Sequence, residues 1–214
     1  MKRIFDFLLA SMGLLISLPL WVIFSLLIWL EDKKPIFYSQ ERMGKGGKIF
    51  KIIKFRSMKA NADEEVGPLQ AREDDARMTC FGRILRATAL DELPQLINIL
   101  KGEMSFVGPK ALRPVEIDAG DKTPKSIWEF EGAEARLSVT PGLTGVAQIL
   151  TARDISRKEK FKYDIWYIKH QSFFLDLYLI FISFLITFRG VWEVRENKFT
   201  YLLINFKQKV ESEL

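Results

Sequence analysis

Two adjacent carboxylates, Asp91 and Glu92, lie between two stretches whose apolar residues have helical spacing. The simplest interpretation starts a helix at Asp91, keeps Pro94 in its first turn, where proline is tolerated, and ends the helix at Lys101 and Gly102. A carboxylate at such a start faces unpaired backbone N–H groups and the positive end of the helix dipole, which favour its ionised form. The position is compatible with a catalytic carboxylate, although an ordinary helix cap explains it as well.

Two pairs of cations have spacings that suit an anionic ligand. Lys54 and Arg56 are two residues apart in a β-prone stretch and therefore share one face of a strand, from which both can reach a phosphate. Lys110 and Arg113 lie in a segment punctuated by proline and glycine, and they could clamp an anion there. The alternatives are a solvated strand face for the first pair and a surface turn with incidental charges for the second.

Several familiar chemistries are disfavoured by the residues present. His170 is the only histidine, and no GxSxG nucleophile motif accompanies it, so a Ser-His-Asp triad lacks support. Cys80 is the only cysteine; it cannot form an internal disulfide, which favours a reducing compartment and a packing role. No CxxC, HExxH or GxxxxGK[ST] motif occurs, which removes the usual zinc and P-loop interpretations.

The elements that would position these residues are short. Residues 35–40 and 49–56 are β-prone and flank a glycine-rich turn, which predicts a hairpin. Residues 61–78 are acidic and polar and predict a surface helix and loop. Residues 107–114 and 140–148 combine proline with glycine, a composition typical of ordered loops whose backbone approaches a ligand.

The N-terminal segment is apolar enough to enter a membrane. From Ile4 to Leu30 the only charged residue is Asp6, and the run exceeds the roughly 20 residues that span a bilayer. It is also too long for the apolar core of a cleaved signal peptide. Pro19 removes a backbone donor near the middle, and Ser17 could bond the groups that a break leaves open. A kinked spanning helix and a re-entrant hairpin turning at 17–19 both fit, because basic residues flank both ends.

A second apolar run extends from Phe173 to Arg189 and carries a thin polar stripe. Its members fall on one helical face: Ser172, Asp176, Ser183 and Thr187. Such a helix could pack this stripe on the domain and turn its apolar side to lipid. A buried core helix is the alternative.

Composition sets broad limits. The 214 residues suit one domain, or one domain with an appendage, and 48% hydrophobic with 28% charged residues excludes a disordered, collagen-like or disulfide-scaffold chain. The 32 Lys and Arg residues against 27 Asp and Glu give a net charge of +5. That excess is compatible with nucleic acid, anionic lipid or a phosphorylated substrate. The apolar runs near both ends disfavour a soluble nucleic-acid binder, so we expect no nucleic-acid partner.

Taken in order, the motifs of this chain resemble those of the bacterial monotopic phosphoglycosyl transferases, also called the bacterial sugar transferase family. The resemblance extends from the N-terminal apolar segment to about Arg189, and the order of the motifs makes it specific. The motifs are 35–44 (PIFYSQERMG), 54–58 (KFRSM), 90–96 (LDELPQL), 104–109 (MSFVGP) and 141–145 (PGLTG), completed by Tyr163, Asp164, Tyr167, Ser172 and Asp176.

The resemblance implies a function: transfer of sugar-1-phosphate from a UDP-sugar to a polyprenol phosphate such as undecaprenyl phosphate, with release of UMP. Asp91 would be the nucleophile that forms a covalent phosphosugar intermediate. Glu92 would assist the second half-reaction or hold the family's cofactor, Mg²⁺, together with Asp91. The residues expected to bind substrate phosphates are Arg86, Lys110, Arg113, Lys54 and Arg56.

The resemblance also implies an α+β, mainly helical, monotopic membrane protein at the cytoplasmic face of the bacterial inner membrane. Residues 1–34 would form a re-entrant helix broken at Ser17 and Pro19, and 35–170 a cytoplasmic catalytic domain with a small β-hairpin. Residues 171–214 would form an amphipathic membrane-interface helix and a C-terminal tail. The expected partners are the UDP-sugar, the polyprenol phosphate and the lipid bilayer. The oligomeric state stays open, a homo-oligomer included.

One motif departs from the family pattern. The family usually has arginine and then proline directly after Val-Gly-Pro, whereas this chain has Lys110 and reaches an Arg-Pro pair only at Arg113 and Pro114. Lysine keeps the charge but loses the bidentate fork of arginine. Phosphate contact therefore falls to Lys110, to Arg113 or to both.

A different class of function also fits the composition. A membrane-tethered binding or scaffold module would use the basic residues to dock on anionic lipid, and the separated motifs would then be loop and cap chemistry. The sequence does not identify the sugar or the glycan pathway. Release of UMP from a UDP-sugar separates the enzyme from the scaffold.

Overall fold

The structure is a computed structural model, and it describes residues 1–33, 35–59, 77–118, 123–152, 155–189 and 200–214. The acidic segment predicted over 61–78 lies outside the described residues except for its last two positions. The helices are α1 (Lys2–Asp32), α2 (Cys80–Ala87), α3 (Gln95–Lys101), α4 (Ala133–Leu137), α5 (Val146–Leu150), α6 (Arg157–His170), α7 (Phe173–Arg189) and α8 (Thr200–Ser212). The strands are β1 (Phe37–Met43), β2 (Ile49–Phe55), β3 (Ser105–Val107), β4 (Val115–Glu116), β5 (Lys125–Ser126) and β6 (Gly142–Thr144).

Helix α1 packs one of its faces against the domain. It runs through Pro19 without interruption and, within the described ranges, is the one helix long and apolar enough to cross a membrane. The hydroxyl of Ser17 accepts from Trp21 Nε1 at 3.1 Å, in the turn around that proline. The buried residues of α1 recur on one face, and they are Asp6, Ala10, Ser17, Phe24 and Ile28. The opposite face exposes apolar side chains, among them Ile4, Leu8, Leu15, Val22, Leu26 and Leu30.

Strands β1 and β2 form the hairpin that the sequence predicts. They pair antiparallel from Phe37 opposite Phe55 to Met43 opposite Ile49. Strand β1 continues three residues beyond the predicted 35–40. The turn contains Gly46 and Gly47, whose φ angles of 67° and 75° favour glycine. On the inner face of β2, Phe50 and Ile52 pack with Leu96 and Ile99 of α3, so the hairpin and α3 share a core.

The two segments predicted as Pro-Gly loops meet in space. Strand β3 of the first pairs in parallel with β6 of the second. Gly108 donates its N–H to Thr144 O at 2.9 Å, and Gly142 donates to Pro109 O at 2.9 Å. A Cβ on Gly142 would lie 2.1 Å from Gly108 N, so only glycine permits this approach of the two backbones.

Helix α7 turns its polar stripe toward the domain, one of the two arrangements that its spacing allows. Asp176 is buried, and Ser183 Oγ lies 2.5 Å from Thr144 Oγ1 on β6. The apolar residues Leu179 and Ile182 are also buried against the domain. The helix exposes five phenylalanines, which are Phe173, Phe174, Phe181, Phe184 and Phe188.

The described elements form a mainly helical α+β protein with three two-stranded sheets, as the sequence predicts at this level. Helix α8 packs on α6 and α7 through Phe206, whose ring lies 5.9 Å from Trp166 and 5.3 Å from Tyr178. The domain boundaries predicted at 34/35 and 170/171 stay predictions.

Candidate active site

Asp91 and Glu92 lie in a tight connection between α2 and α3. Ala89 follows α2 in the left-handed region with φ 55°, and a short 3-10 turn covers Leu90–Glu92. The prediction that a helix starts at Asp91 is wrong, because the α-helix begins at Gln95. Pro94 has no N–H to complete an α-helical turn before that point. The predicted end is correct, since Gly102 terminates α3 with φ 84°.

Lys54 of β2 is the residue through which the hairpin contacts these carboxylates. Its Nζ hydrogen-bonds Glu92 Oε1 and lies 3.9 Å from Asp91 Oδ2. Asp91 is 7% exposed, and none of the described residues donates a hydrogen bond to its carboxylate. Asp91 is thus buried beside a cation with both oxygens available to a ligand.

The two carboxyl groups have opposite pKa shifts. Burial, with the charge of Glu92 adding to it, raises the pKa of Asp91 to about 6, against the opposing effect of Lys54, Arg86 and Lys110. Burial also acts on Glu92, but Lys54 and Lys110 outweigh it and lower the pKa of Glu92 to about 2. The sequence predicts that a helix terminus favours the ionised form of Asp91. The structure reverses that expectation, because desolvation dominates.

Three of the predicted phosphate-binding residues converge on the carboxylates. The charges of Lys54, Arg86 and Lys110 all act on Asp91, and those of Lys54 and Lys110 act on Glu92 as well. Lys54 comes from β2, Arg86 from α2 and Lys110 from the loop after β3, so three separate segments supply positive charge to one point.

Two further predicted residues have other surroundings. The backbone N–H of Arg113 donates to Glu116 Oε1 at 3.1 Å, and its guanidinium acts on Arg42. Arg56 follows the last residue of β2, and its Nη2 donates to Asp32 O at 2.7 Å, at the C-terminal end of α1. Lys54 and Arg56 thus have different partners, although the backbone of Arg56 still pairs with Ile36 of the neighbouring chain segment, its N–H donating to Ile36 O at 2.9 Å. Phosphate binding by either arginine stays a prediction.

Arg42 of β1 is a cation at the site that the sequence reasoning missed. Its charge lowers the pKa of Glu92, and its Nη2 donates to Gln40 Oε1 at 2.6 Å. Burial, and then the nearby Arg113, lower the pKa of Arg42 itself. The signal was its place in motif 35–44, but only the pairing of the hairpin with α3 brings it to Glu92.

The donor set fits Mg²⁺ held jointly with a substrate. Within the described parts of the chain, no three His, Cys, Asp or Glu residues are grouped so that they could hold a metal. Mg²⁺ is commonly bound by one or two carboxylates together with substrate phosphates and water, rather than by a cage of protein ligands. Asp91 and Glu92 match that pattern, and Asp91 has both oxygens available.

Comparisons with known proteins identify similar sequences. Residues 1–190 match the sequence model described as bacterial sugar transferase. The chain is 52% identical to a putative undecaprenyl-phosphate N-acetylgalactosaminyl 1-phosphate transferase of Bacillus subtilis, over 53% of this chain and 63% of that protein. It is 36% identical to the exopolysaccharide production protein ExoY of Sinorhizobium fredii, over 84% of this chain and 82% of that protein.

A third relative is a longer protein. The chain is 36% identical to the UDP-N-acetylgalactosamine-undecaprenyl-phosphate N-acetylgalactosaminephosphotransferase of Aeromonas hydrophila, over 84% of this chain and 42% of that protein. The matches thus cover less than two thirds of the Bacillus subtilis transferase and of the Aeromonas hydrophila protein, but most of ExoY.

Proposed function

The chain belongs to the bacterial sugar transferase family, and we propose that it transfers sugar-1-phosphate from a UDP-sugar to undecaprenyl phosphate, releasing UMP. The names of its Bacillus subtilis and Aeromonas hydrophila relatives support both substrates. The observation that carries the proposal is the buried Asp91 carboxylate, which accepts no hydrogen bond from a described residue and is faced by Lys54, Arg86 and Lys110. A site of that kind suits an anionic nucleophile and a phosphorylated substrate.

The reaction would proceed in two displacements at the same phosphorus. A carboxylate oxygen of Asp91 attacks the phosphorus that carries the sugar, and the bond to the bridging oxygen of the diphosphate breaks, so that UMP leaves. An oxygen of undecaprenyl phosphate then attacks that phosphorus, and the acyl phosphate bond breaks. Asp91 is regenerated, and the product is a diphosphate that links lipid and sugar.

Positive charge from three segments would offset the repulsion between the carboxylate and the diphosphate. Lys54, 3.9 Å from Asp91, already neutralises part of the local charge. Arg86 and Lys110 add charge from other directions, where the transferring phosphoryl group would accumulate negative charge. A pKa of about 6 leaves Asp91 mostly ionised at neutral pH while making it more basic than an ordinary aspartate.

Asp91 and Glu92 would hold Mg²⁺ together with the substrate phosphates. When bound, the ion would neutralise phosphate charge and polarise the phosphoryl oxygens. Glu92 is kept ionised by Lys54 and is therefore ready to accept a cation. In the same contact Glu92 orients Lys54 toward Asp91.

The proposal includes a monotopic arrangement at the cytoplasmic face of the inner membrane. Both ends of α1 are attached to the same domain: Asp6 accepts from Phe106 N at 3.2 Å near one end, and Asp32 pairs with Arg56 at 3.3 Å at the other. The exposed apolar faces of α1 and α7 would contact lipid. Helix α1 is uninterrupted at Pro19 in the structure, and a re-entrant path in the membrane would require it to bend at Ser17 and Pro19, which would keep both ends on one side.

Topology can be tested by cysteine labelling in intact cells. In a Cys80→Ser background, a cysteine inserted after Met1 and the variant Lys33→Cys report on the two ends of α1. We expect both to resist a membrane-impermeant maleimide until the cells are opened. Labelling of either end from the periplasm contradicts the monotopic arrangement.

Release of UMP tests the proposed reaction. The purified protein is incubated with Mg²⁺, undecaprenyl phosphate and, in turn, UDP-N-acetylgalactosamine, UDP-glucose and UDP-galactose. We expect UMP from at least one of them, and a loss of at least about 10⁴-fold in Asp91→Asn, as when a nucleophile is removed elsewhere. Glu131→Gln, a change at an exposed carboxylate of the surface pair with Lys158, is the matched control and should keep full turnover.

The same assay separates the enzyme from a membrane-tethered scaffold. A scaffold would release no UMP from any nucleotide sugar in the panel. Turnover that survives in Asp91→Asn would retain the enzyme but remove Asp91 as its nucleophile.

A further inference from the structure

Lys110 lies at the point where the two glycine-containing loops meet. Its backbone bridges to Gly142, and the preceding Pro109 O accepts from Gly142 N at 2.9 Å. These contacts attach one edge of the loop to β6. The lysine side chain is long and flexible, so its reach toward Asp91 and Glu92 depends on how firmly the backbone is held.

Arg136 of α4 makes a second set of contacts that attach this loop. Its Nη2 donates to the carbonyl oxygen of Lys110, and its Nε donates to Asp164 Oδ2 of α6 at 2.8 Å. The guanidinium also lies over the ring of Phe161, 4.8 Å from the centroid. Arg136 therefore joins the loop that carries Lys110 to a helix on its far side.

The pair of Arg136 and Asp164 is deeply buried, with each residue 3% exposed. Burying an ion pair costs desolvation that the mutual attraction often only balances, so such a pair is weak as a source of stability. A planar guanidinium that bonds two partners at once, as Arg136 does, nevertheless provides fixed geometry. The Nη2 group of Arg136 donates to the backbone carbonyl of Lys110, a residue at the candidate active site. The fixed geometry of the guanidinium can therefore position that residue.

We propose that Arg136 and Asp164 are positioning residues that fix the Lys110 backbone so that its ammonium faces Asp91 and Glu92. Asp164 orients the guanidinium, and the guanidinium holds the Lys110 carbonyl. The inference rests on the proposed function, because it assigns Lys110 to the substrate phosphates. Misplacement of a charged group by about 1 Å can cost on the order of 100-fold in rate, so the hold matters for turnover.

The test replaces the whole pair with apolar residues of similar volume, Arg136→Met together with Asp164→Leu. Replacing both partners avoids leaving an unpaired buried charge, so folding should survive. We expect kcat/KM for the UDP-sugar to fall by about 10- to 100-fold, and no further than in Lys110→Ala. Combined with Lys110→Ala, the replacement should cause no additional loss.

Two variants serve as controls. Arg136→Lys keeps a charge for Asp164 but cannot bond both partners as the guanidinium fork does, so we expect an intermediate loss, also absent in the Lys110→Ala background. This variant carries the test if the apolar pair does not fold. Lys158→Met with Glu131→Gln removes an exposed ion pair near the same two helices, joined at 3.0 Å, and should leave turnover unchanged.

Three results would overturn the inference: normal turnover in both Arg136 variants, losses that add fully to that of Lys110→Ala, or normal turnover in Lys110→Ala itself. Thermal unfolding of each variant shows whether a loss of activity is a loss of fold. Failure of the proposed function looks different, because the unaltered protein would then release no UMP.

Discussion

Asp91 and Asp164 are both buried aspartates opposed by a cation, yet their surroundings differ. Asp164 receives a hydrogen bond from Arg136 Nε at 2.8 Å. Asp91 accepts no hydrogen bond from the described residues, and its nearest cation, Lys54, is 3.9 Å away. Burial raises the pKa of both carboxyl groups, and at Asp164 Arg136 opposes it.

The difference separates a structural carboxylate from a reactive one. Asp164 Oδ2 accepts from a guanidinium that links two helices and a loop, so this carboxylate is engaged in holding the fold. Asp91 is desolvated but has both oxygens available, an arrangement that costs stability and is compensated only when a ligand binds. Lys54, 3.9 Å from Asp91 Oδ2, offsets the charge of Asp91 without donating a hydrogen bond to it.

The largest effect is expected when the structural carboxylate, Asp164, is removed. Asp164→Ala leaves Arg136 buried and unpaired, so we expect the free energy of unfolding to fall by about 3–5 kcal/mol. Asp91→Ala, the matched change, leaves Lys54 bonded to Glu92 and should cost less than about 1 kcal/mol. Thermal and chemical unfolding in detergent measure both, and equal losses would contradict the distinction.

The second prediction removes the cation at the reactive carboxylate. Lys54→Met should lower kcat/KM by about 100-fold, or about 2.7 kcal/mol, since it removes positive charge from the transition state. Lys51→Met on the exposed side of the same strand is the matched control and should keep normal kinetics. Similar kinetics in the two variants would show that position on β2 does not matter.

The sequence predicted the residues of this comparison only in part. The hairpin and the glycine end of α3 follow from local turn and cap chemistry, and both are confirmed at Gly46 and Gly102. Asp91, Lys54 and Lys110 were candidates because of their residue types and spacing. The roles assigned to them stay predictions, although the structure does bring them together.

What the sequence could not predict depends on tertiary packing. The burial of Asp91 reverses the pKa shift expected from its local position, and no local pattern reports desolvation. Lys54 bonds Glu92, whereas Arg56 pairs with Asp32 at the end of α1. Arg42 reaches Glu92 only because the hairpin packs beside α3. All three depend on which segments meet in space.

The third prediction concerns the stability cost of Asp91. Its native pKa of about 6 exceeds the ordinary aspartate value of 3.8, so the native state binds more protons between these pH values, and stability falls as pH rises through them. Asn does not titrate. Without Mg²⁺, Asp91→Asn should therefore be more stable than the unaltered protein by about 2–3 kcal/mol at pH 7, and by only about 0.5 kcal/mol at pH 4. A difference that does not depend on pH would contradict this.

The smallest effect concerns the turn that presents Asp91. Ala89 has φ 55°, a conformation that costs a non-glycine residue about 1–2 kcal/mol. Ala89→Gly should raise the free energy of unfolding by about 0.5–1 kcal/mol after the greater entropy of unfolded glycine is subtracted. Ala87→Gly, at the end of α2, should lower it by a similar amount. Equal signs in the two variants would contradict the strained turn.

The central claim is that Asp91 is a nucleophile, and a trapped adduct tests it most directly. The protein is incubated with Mg²⁺ and the UDP-sugar that supports turnover, without undecaprenyl phosphate, and its intact mass is measured. We expect a gain equal to sugar-1-phosphate less one water, located on the peptide that contains Asp91, absent in Asp91→Asn and lost when the lipid acceptor is added. An active enzyme that forms no adduct, or forms it on another residue, would contradict the account.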